Sequence, residues 1–398
     1  MEMKKYKLRD LVEIKNGKDH KELKNGFYPV YGSGGIMRYV DEFLYNKPSV
    51  LLPRKGTLDN IQYANKPFWT VDTIYYTEIK ENLVNAYYLY NYLKQLDLSN
   101  LDSGTGVPSM TFESYYNISI QIPSLKIQKK IADVLSSLDD KIALNKKINA
   151  KLEAMAKRLY DYWFVQFDFP NSEGNPYKSS GGKMVWNEVL KREIPEGWEV
   201  GKIGDVVEII TKGTTPSTAG FNFTKEGVNF VKVECVENGK ILAENLMHIS
   251  EEANESLKRS QLQENDILVT IAGRLGSSAV VSKNILPANT NQAVGIIRLK
   301  NDCKFLANYL YERIVSTDVQ KHLQGANAQS IQKNLTLPNL ADITFVFDKN
   351  YKILNAFTEK ILPIFNYQLT IQKEIQKLTN LRDRLLPLLI NGQVEVDG

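Results

Sequence analysis

The sequence contains few of the residues from which metal sites and disulfide frameworks are built. Its 398 residues include two cysteines, Cys235 and Cys303, and three histidines, His20, His248 and His322. Two cysteines cannot form a disulfide framework, and this usage suits a reducing cytoplasm. The histidines lie far apart and have no partner at metal-ligand spacing, so we expect no metal site.

Long apolar runs and several enzyme motifs are also missing. No stretch reaches the roughly 18 apolar residues of a membrane-spanning helix, and residues 1–6 do not resemble a signal peptide, so we expect a cytoplasmic protein without a membrane partner. The sequence has no GxxxxGKS or GxxxxGKT phosphate loop and no glycine-rich methyl-donor motif. Asn175-Pro176-Tyr177 lacks the second proline of the NPPY motif of amino-methyltransferases, and Glu22-Leu23-Lys24 lies in a polar, turn-rich stretch. We interpret both as turns and expect no catalysis.

The composition is that of a folded protein with several domains. Hydrophobic residues make up 43% of the chain and charged residues 24%, and the formal net charge is +4. Such a composition excludes a mostly disordered chain, and the length favours two or more domains. The mild positive charge permits a nucleic-acid partner without requiring one.

The chain repeats the order of its segments. Three matches occur in the same order, with about 26 additional residues in the front part of the second copy. They join Leu8–Ile14 to Ile203–Ile209, Tyr88–Tyr90 to Tyr309–Tyr311, and Lys151-Leu152 with Arg158-Leu159 to Lys377-Leu378 with Arg384-Leu385. A repeat of this kind predicts an internal pseudo-twofold architecture.

Two textures alternate within each copy. Residues 1–124 and 196–348 combine short apolar runs with glycine- and asparagine-rich turns, which predicts globular domains of mixed strands and helices. Within them, 87–96 and 305–323 have helical periodicity. Residues 125–195 and 349–398 are helical spacers, the first with a linker. We therefore predict an α+β protein in which two long antiparallel helices form a coiled coil between the globular domains.

The two predicted long helices have apolar residues at three- and four-residue steps. Neither helix can bury this stripe alone, so we expect them to pack against each other. Asn145 falls at a seam position, where a polar residue can fix the register, and Pro363 predicts a kink or a restart of the second helix. The residues expected to face the partner helix are Leu138, Ile142, Asn145, Leu152, Leu159, Ile371, Leu378 and Leu385.

Glycine-containing loops with cationic or small polar residues are candidates for DNA binding. Glycine allows a close approach to a groove, arginine and lysine neutralise phosphates, and amides and guanidinium groups can read base edges. An ordinary solvated turn is the alternative for each loop, and recurrence in both copies favours binding. The candidates are Ser33, Arg38, Arg54, Lys55 and Thr105 in the first copy, and Lys212, Thr214, Arg274, Asn327, Gln329 and Ser330 in the second.

The first long helix is also rich in positive charge. Between residues 141 and 160 it has six cationic residues and one glutamate, Glu153. A solvated helix face explains this distribution, and a basic surface facing DNA or an acidic partner is the alternative. The cationic residues are Lys141, Lys146, Lys147, Lys151, Lys157 and Arg158.

Several stretches resemble one protein family. Tyr162–Pro170, continuing through Gly181–Val185 to Ile194–Trp198, resembles the central region of type I restriction–modification specificity subunits. Pro195–Trp198 followed by Ile203–Val206 is similar to the start of that family's target-recognition domain, and Arg382–Gly392 to its C-terminal helix ending. Together with the repeat, the resemblance covers essentially the whole chain. The first copy departs from it, because it has no tryptophan before Leu8.

The resemblance implies a specific role. Such subunits have two target-recognition domains, each reading one half of a bipartite, asymmetric double-stranded DNA site, while paired helices set the spacer and dock two methyltransferase subunits. The subunit itself has no catalytic activity and binds no cofactor. S-adenosylmethionine belongs to the modification subunits, and ATP and magnesium belong to the restriction (translocase) subunits. Because the loops of this family vary, it assigns no base-reading residue here.

Two other functions remain as alternatives. A self-contained DNA methyltransferase or nuclease would show activity as a purified chain. A coiled-coil adaptor without DNA contact would show no salt-dependent DNA binding.

Overall fold

The computed structural model describes residues 2–56, 58–98, 109–237, 239–325 and 335–394. The chain divides into two compact units. The first unit comprises residues 1–146 and 373–398, and the second comprises residues 147–372. Each unit therefore contains a strand-rich part and one half of each of two long helices.

The strand-rich part of the first unit has nine described strands and three short helices. The strands are β1 (Lys4–Lys7), β2 (Val12–Asn16), β3 (Asn25–Gly32), β4 (Gly35–Val40), β5 (Ser49–Pro53), β6 (Gln62–Ala64), β7 (Trp69–Thr70), β8 (Ile74–Ile79) and β9 (Ser119–Ile122). The helices are α1 (Leu8–Leu11), α2 (Ala86–Leu93) and α3 (Phe112–Tyr116), followed by the long helix α4 (Leu125–Tyr160).

The second unit has fourteen described strands and five short helices. The strands are β10 (Met184–Asn187), β11 (Arg192–Pro195), β12 (Trp198–Lys202), β13 (Val207–Lys212), β14 (Phe223–Thr224), β15 (Val228–Val231), β16 (Val236–Glu237), β17 (Lys240–Ile241), β18 (Met247–Ile249), β19 (Ile267–Thr270), β20 (Ser278–Val280), β21 (Ala288–Thr290), β22 (Val294–Leu299) and β23 (Thr344–Asp348). The helices are α5 (Ile203–Val206), α6 (Glu251–Ser256), α7 (Ala307–Val315), α8 (Thr317–Gly325) and α9 (Leu337–Ala341), followed by the long helix α10 (Lys352–Ile390).

The main sheets of the two units have the same strand order. The first unit contains an antiparallel sheet in the order β2-β8-β5-β6, and the second contains β13-β22-β19-β20. A parallel pair, β3 with β7 and β15 with β21, lies in a further sheet of each unit. A two-stranded ladder joins the first and last strands of each copy, β1 with β9 and β12 with β23. Apolar residues of the central strands are buried in both main sheets, as strands covered on both faces require.

A β-bulge shifts the numbering of the repeat by one residue. Val12 pairs with Ile79 and Val207 with Leu299, but Ile14 pairs with Thr77 whereas Ile210 pairs with Ile297, because the register of β13 shifts between Val207 and Ile209. Beyond the bulge a residue of β2 therefore corresponds to the residue 196 positions later. A bulge inserts one unpaired residue into a strand in this way.

The long helices are 36 residues in α4 and 39 residues in α10. In the first unit, Arg382 Nη1 lies 2.9 Å from Asp139 Oδ1, and Lys141 Nζ lies 3.6 Å from Glu374 Oε1. In the second unit, Tyr160, Trp163 and Phe164 pack against Phe357. Each half of α4 thus contacts one half of α10, within its own unit.

The expected interruption at Pro363 is wrong, because α10 continues through this residue. Pro363 lies on the exposed side of the helix, while Ile361 and Ile364 on either side of it are buried. The carbonyl that loses its hydrogen bond is that of Glu359, which is exposed and can bind water instead. Burial of the apolar stripe therefore maintains a helix that the proline alone would break.

The single helix expected over residues 305–323 is also wrong. The structure divides it into a 3₁₀ turn over 301–306 and the helices α7 and α8. Ser316 separates the two helices with an extended backbone. Its hydroxyl lies 2.8 Å from Asp318 Oδ1, and Arg313 Nη1 lies 2.7 Å from Asp318 Oδ2. These polar contacts stabilise a break that hydrophobic periodicity does not reveal.

The residues expected on the partner-facing side of the helices are all at least partly buried. Ile142, Asn145 and Ile371 are buried, and the half-buried ones are Leu138, Leu152, Leu159, Leu378 and Leu385. Asn145 is 2% exposed, and its Nδ2 has no hydrogen-bond partner among the described residues. A buried amide without a partner costs stability, as a register-fixing residue does in a coiled coil.

Replacing Asn145 with leucine should therefore stabilise the chain. Asn145→Leu removes an unsatisfied buried amide and should raise the free energy of unfolding by about 1–2 kcal/mol. Chemical denaturation of the purified chain measures this change. The control is Leu144→Ala, because the neighbouring Leu144 lies on the exposed side of α4, and it should change stability by less than about 0.5 kcal/mol. A loss of stability in Asn145→Leu would mean that the amide makes a favourable contact in the folded chain.

Candidate nucleic-acid interface

Loops from four strands of the first unit come together at one edge of its main sheet. The Lys18 backbone N–H donates to the Thr70 carbonyl at 2.8 Å, and the Arg54 N–H donates to the Thr73 carbonyl at 2.9 Å. The Ser33 N–H lies 3.4 Å from Thr73 Oγ1. The predicted residues Ser33, Arg54 and Lys55 thus lie on adjacent loops, as a joint binding surface requires.

Two glycines allow these loops to approach one another. A Cβ atom at Gly17 would lie 2.1 Å from the Val71 carbonyl oxygen, so only glycine fits there. Gly56 has a φ of +89°, a left-handed conformation that favours glycine, and it lies beside the Ser33 hydroxyl. Glycine therefore determines the geometry of this edge.

The cations of this edge differ in how far they are engaged. Lys18 and Lys55 are exposed and form no ion pair with another described residue. The Arg54 guanidinium lies 5.9 Å from the centre of the Tyr75 ring. Arg38 is half-buried, and its Nη2 donates to the Leu23 carbonyl at 2.6 Å, which gives this arginine a structural contact inside the unit.

The second unit forms the same edge with the same backbone contacts. The Thr214 N–H donates to the Thr290 carbonyl at 3.1 Å, as Lys18 donates to Thr70, and the Ile271 N–H donates to the Ala293 carbonyl at 2.8 Å, as Arg54 donates to Thr73. A Cβ atom at Gly213 would lie 2.0 Å from the Thr290 carbonyl oxygen. The backbone framework is thus repeated.

This framework corrects the correspondence between the loops. The Thr211–Pro216 loop corresponds to the loop at Gly17-Lys18, whereas the order of the glycine-containing loops suggests Tyr31–Gly35 as its counterpart. Gly273, with a φ of +74°, corresponds to Gly56. The basic residues do not coincide, because Arg54 stands where the second unit has Ile271. The two edges therefore share a backbone and differ in their side chains.

Lys212, Thr214 and Arg274 lie on this second edge. Lys212 is exposed, and Thr214 is half-buried with its hydroxyl 3.3 Å from Arg259 Nη2. Three atoms of the chain hold the Arg274 guanidinium: Ser277 Oγ accepts from Nε at 2.9 Å, the Val236 carbonyl from Nη2 at 2.8 Å, and Glu237 Oε1 from Nη1 at 3.2 Å.

Arg274 is therefore fixed in place and still has donors to offer. A guanidinium has five N–H bonds, and three are used here, which leaves one on each terminal nitrogen. Two such donors match the paired acceptors O6 and N7 of guanine. This half-exposed, preorganised arginine can read a base edge.

Substituting Arg274 should relax recognition at one base pair. If Arg274 reads a base, Arg274→Ala lowers discrimination by about 1–3 kcal/mol at one position of one half-site. Binding measured against a library with every base at every position tests this result. Glu237→Gln, which keeps the shape of the neighbouring side chain, is the control and should retain the preferred base. Equal weakening on all sequences would identify Arg274 as a phosphate contact.

The cationic face of α4 is exposed along its length. All six residues expected there are exposed: Lys141, Lys146, Lys147, Lys151, Lys157 and Arg158. Lys157 forms an ion pair with Asp161 at 2.8 Å, and Lys141 is the residue that lies near Glu374. The face is therefore partly neutralised by contacts within each unit.

Four predicted DNA-binding residues lie outside the described residues: Thr105, Asn327, Gln329 and Ser330. Within the described ranges, no group of three or more histidine, cysteine, aspartate or glutamate side chains is arranged to hold a metal ion. No helix in that part of the chain has the length and apolar character needed to cross a membrane.

Sequence reasoning missed Lys18, Asn60 and Gln62. The Asn60 and Gln62 amides donate to the carbonyls of Ser33 and Gly32 at 2.6 and 2.9 Å and support the turn at this edge. Lys18 could have been found by aligning the two glycines Gly17 and Gly213, but the bulge in β13 hides this match at the spacing of the first repeat segment.

Known proteins share this sequence and architecture. The family model "Type I restriction modification DNA specificity domain" matches residues 1–154 and 195–362. The type I restriction enzyme MjaIX specificity subunit of Methanocaldococcus jannaschii is 28% identical over 366 residues, covering 89% of this chain and 79% of the relative. The HindI specificity subunit of Haemophilus influenzae is 27% identical over 342 residues, covering 73% and 72%.

A solved structure shows the same fold. The crystal structure of the type I restriction–modification S subunit from M. genitalium aligns with 100% of this chain and 97% of its own, with a TM-score of 0.63 and 15% sequence identity. Since the family model covers both repeat copies, the chain belongs to the family of type I restriction–modification DNA specificity proteins.

Proposed function

We propose that this chain is the DNA-specificity subunit of a type I restriction–modification complex. Each unit reads one half of a bipartite, asymmetric site in double-stranded DNA. One observation carries this proposal: both units form the same glycine-cornered edge, with different side chains on it. Equivalent frameworks with unlike side chains suit two readers of two different half-sites.

The two long helices serve as the spacer element of this proposal. We infer that they form an antiparallel coiled coil along their length and that the internal repeat makes the molecule pseudo-twofold. The contacts of α4 with α10 support this inference, because Asn149 contacts Gln368 while Tyr160 contacts Phe357 further back along α10. A 36-residue helix is about 54 Å long at 1.5 Å per residue, and DNA repeats about every 34 Å.

The chemistry of the complex belongs to other subunits in this proposal. The chain itself is not an enzyme and binds no cofactor, while two methyltransferase subunits dock on the helices and bring S-adenosylmethionine. Restriction (translocase) subunits bring ATP and magnesium, and the complex works in the cytoplasm. Relatives whose names describe them as specificity subunits of restriction enzymes support this division. An assay of the purified chain with labelled methyl donor tests it and should show no transfer.

Removing two unpaired lysines should reduce the salt dependence of DNA binding. Lys18→Gln with Lys55→Gln removes up to two phosphate contacts, so the slope of log K against log salt should become less steep by up to about 1.8. The control is Lys80→Gln, because Lys80 follows the opposite end of β8. Titrations at several salt concentrations, with the methyltransferase subunits present, measure the slopes. An unchanged slope would place the DNA elsewhere.

A further inference from the structure

The helix junction of the first unit contains a half-buried ionic contact. The Tyr87 hydroxyl donates to the Asp139 carboxylate, and Arg382 Nη1 donates to the same carboxylate at 2.9 Å. The Tyr63 and Tyr90 rings pack against Tyr87 and fill the surrounding space. Here a guanidinium from α10 neutralises a carboxylate from α4.

The repeat identifies the corresponding junction in the second unit. Helix α7 follows α2 by 221 residues, and the two long helices correspond at a separation of 226 residues. Both separations fit the packing, since buried Tyr88 corresponds to buried Tyr309, and buried Leu389 and Ile390 correspond to buried Trp163 and Phe164. The equivalent positions can therefore be compared one by one.

The residues of the second junction are smaller, and its acidic group has moved. Asn308 stands in place of Tyr87, Phe365 in place of Asp139, and Ala156 in place of Arg382. Glu312 stands in place of Asn91, whose amide is satisfied by the Tyr87 carbonyl at 2.9 Å. The second unit has thus lost the guanidinium and gained a carboxyl group.

A cavity occupies this position in the second unit. It has a volume of about 140 Å³ and is lined by residues that include Ala156, Asn308, Tyr311, Glu312 and Phe365. A wider cleft of about 650 Å³ shares Tyr311 and Glu312 with it and extends to the loop after Arg274. A side chain entering from outside can therefore reach Glu312.

Glu312 has no partner in this cavity. Its side chain is 4% exposed and forms no hydrogen bond or ion pair with another described residue. Burial raises the pKa of Glu312 to about 8, and the charges that face it are Lys157, Glu153 and Asp161 of the neighbouring helix. Lys157 is held by Asp161, and Lys240 across the cavity faces Glu153. A buried acid without a partner is costly to ionise.

We propose that this cavity receives the guanidinium of an arginine side chain from a partner protein, which pairs with Glu312. The first unit supplies such a group from its own Arg382, and the second unit has the acid without the base. A planar, weakly hydrated guanidinium suits a small cavity with the Phe365 ring in its wall. A metal ion fits less well, since the described residues contain no group of three suitable ligands. This inference does not depend on how the chain reads DNA.

A charged probe and its neutral analogue test the cavity directly. N-acetylarginine amide should raise the melting temperature of the full chain, whereas N-acetylcitrulline amide, of the same shape without the charge, should not. Glu312→Gln should abolish the difference, and Glu252→Gln on the exposed surface of α6 should preserve it. Equal effects of both probes, or an undiminished arginine effect in Glu312→Gln, would overturn the proposal.

Binding of the partner provides the second arm of the test. The methyltransferase subunit is the partner expected from the proposed function, and Glu312→Gln should weaken its binding at least tenfold while Glu252→Gln leaves it unchanged. Unchanged binding by Glu312→Gln would exclude this partner and, with a negative probe result, the inference as a whole. If the wild-type chain bound no methyltransferase subunit, the proposed function would fail, and the arginine probe alone would decide the inference.

The pH dependence of stability gives an independent prediction. Because the pKa of Glu312 is raised in the folded chain, the folded state binds a proton that the unfolded state releases at lower pH. The stability contributed by this proton is lost as the pH rises from about 4.5 to about 8. The melting temperature of the isolated wild-type chain should therefore fall across this range relative to Glu312→Gln. Parallel curves for the two proteins would contradict the raised pKa.

Discussion

Lengthening both long helices by seven residues should lengthen the DNA spacer and leave both half-sites unchanged. Seven residues add two turns, about 10 Å at 1.5 Å per residue, which corresponds to about three base pairs. The insertions belong after Lys146 in α4 and after Gln372 in α10, where both helices pass from one unit to the other. Inserting seven residues in each helix preserves the heptad pattern and the direction in which the apolar stripes face.

The methylated motif of a host that carries the altered chain reports the result. A matched control places seven residues in the exposed turn at Glu173-Gly174, outside both helices, and should leave the spacer unchanged. If the helix insertion kept the original spacer while methylation continued, the long helices would not set it. Loss of all methylation with a normally folded chain would show that the helices have another task, such as docking partners at a fixed separation.

Breaking the buried ion pair of the second unit should cause the largest loss of stability. Arg298 Nε lies 2.9 Å from Asp266 Oδ1, and Nη2 lies 2.7 Å from Oδ2. The Asp266 side chain is 1% exposed and that of Arg298 is 13% exposed. Arg298→Met leaves the buried carboxylate without its partner, and this should cost about 3–5 kcal/mol of unfolding free energy.

Chemical denaturation of Arg298→Met and of the double variant Arg298→Met with Asp266→Leu separates the two contributions. The double variant removes the buried charge as well and should recover much of the loss. As a control, Lys183→Met removes one partner of the exposed pair Lys183–Glu196 and should cost less than about 1 kcal/mol. A small effect of Arg298→Met would mean that water reaches Asp266 in the folded chain.

The repeat made much of the architecture predictable from the sequence. Short matches such as Leu8–Ile14 with Ile203–Ile209 mark equivalent strands and helices, and the apolar stripes indicate both long helices. Local rules failed where tertiary contacts outweigh them: α10 continues through Pro363 because Ile361 and Ile364 are buried beside it, and polar contacts of Ser316 divide a periodic segment.

The candidate interface was predictable in kind and less so in detail. Glycine followed by a cation marked the loop at Arg54 and Lys55, but the one-residue bulge in β13 concealed the match between Gly17 and Gly213. Sequence alone could not show that Arg38 binds the Leu23 carbonyl, since this contact joins residues from different strands and turns. Nor could it show the unpartnered Glu312, because the cavity exists only where smaller side chains replace those of the first unit.

Genome-wide mapping of methylated bases in a host that carries this chain with its modification subunit tests the central claim most directly. Two units with the same backbone framework and different edge residues predict one bipartite motif, with two unlike half-sites separated by a fixed spacer. A continuous motif, two identical half-sites or methylation that does not depend on this chain would contradict the account.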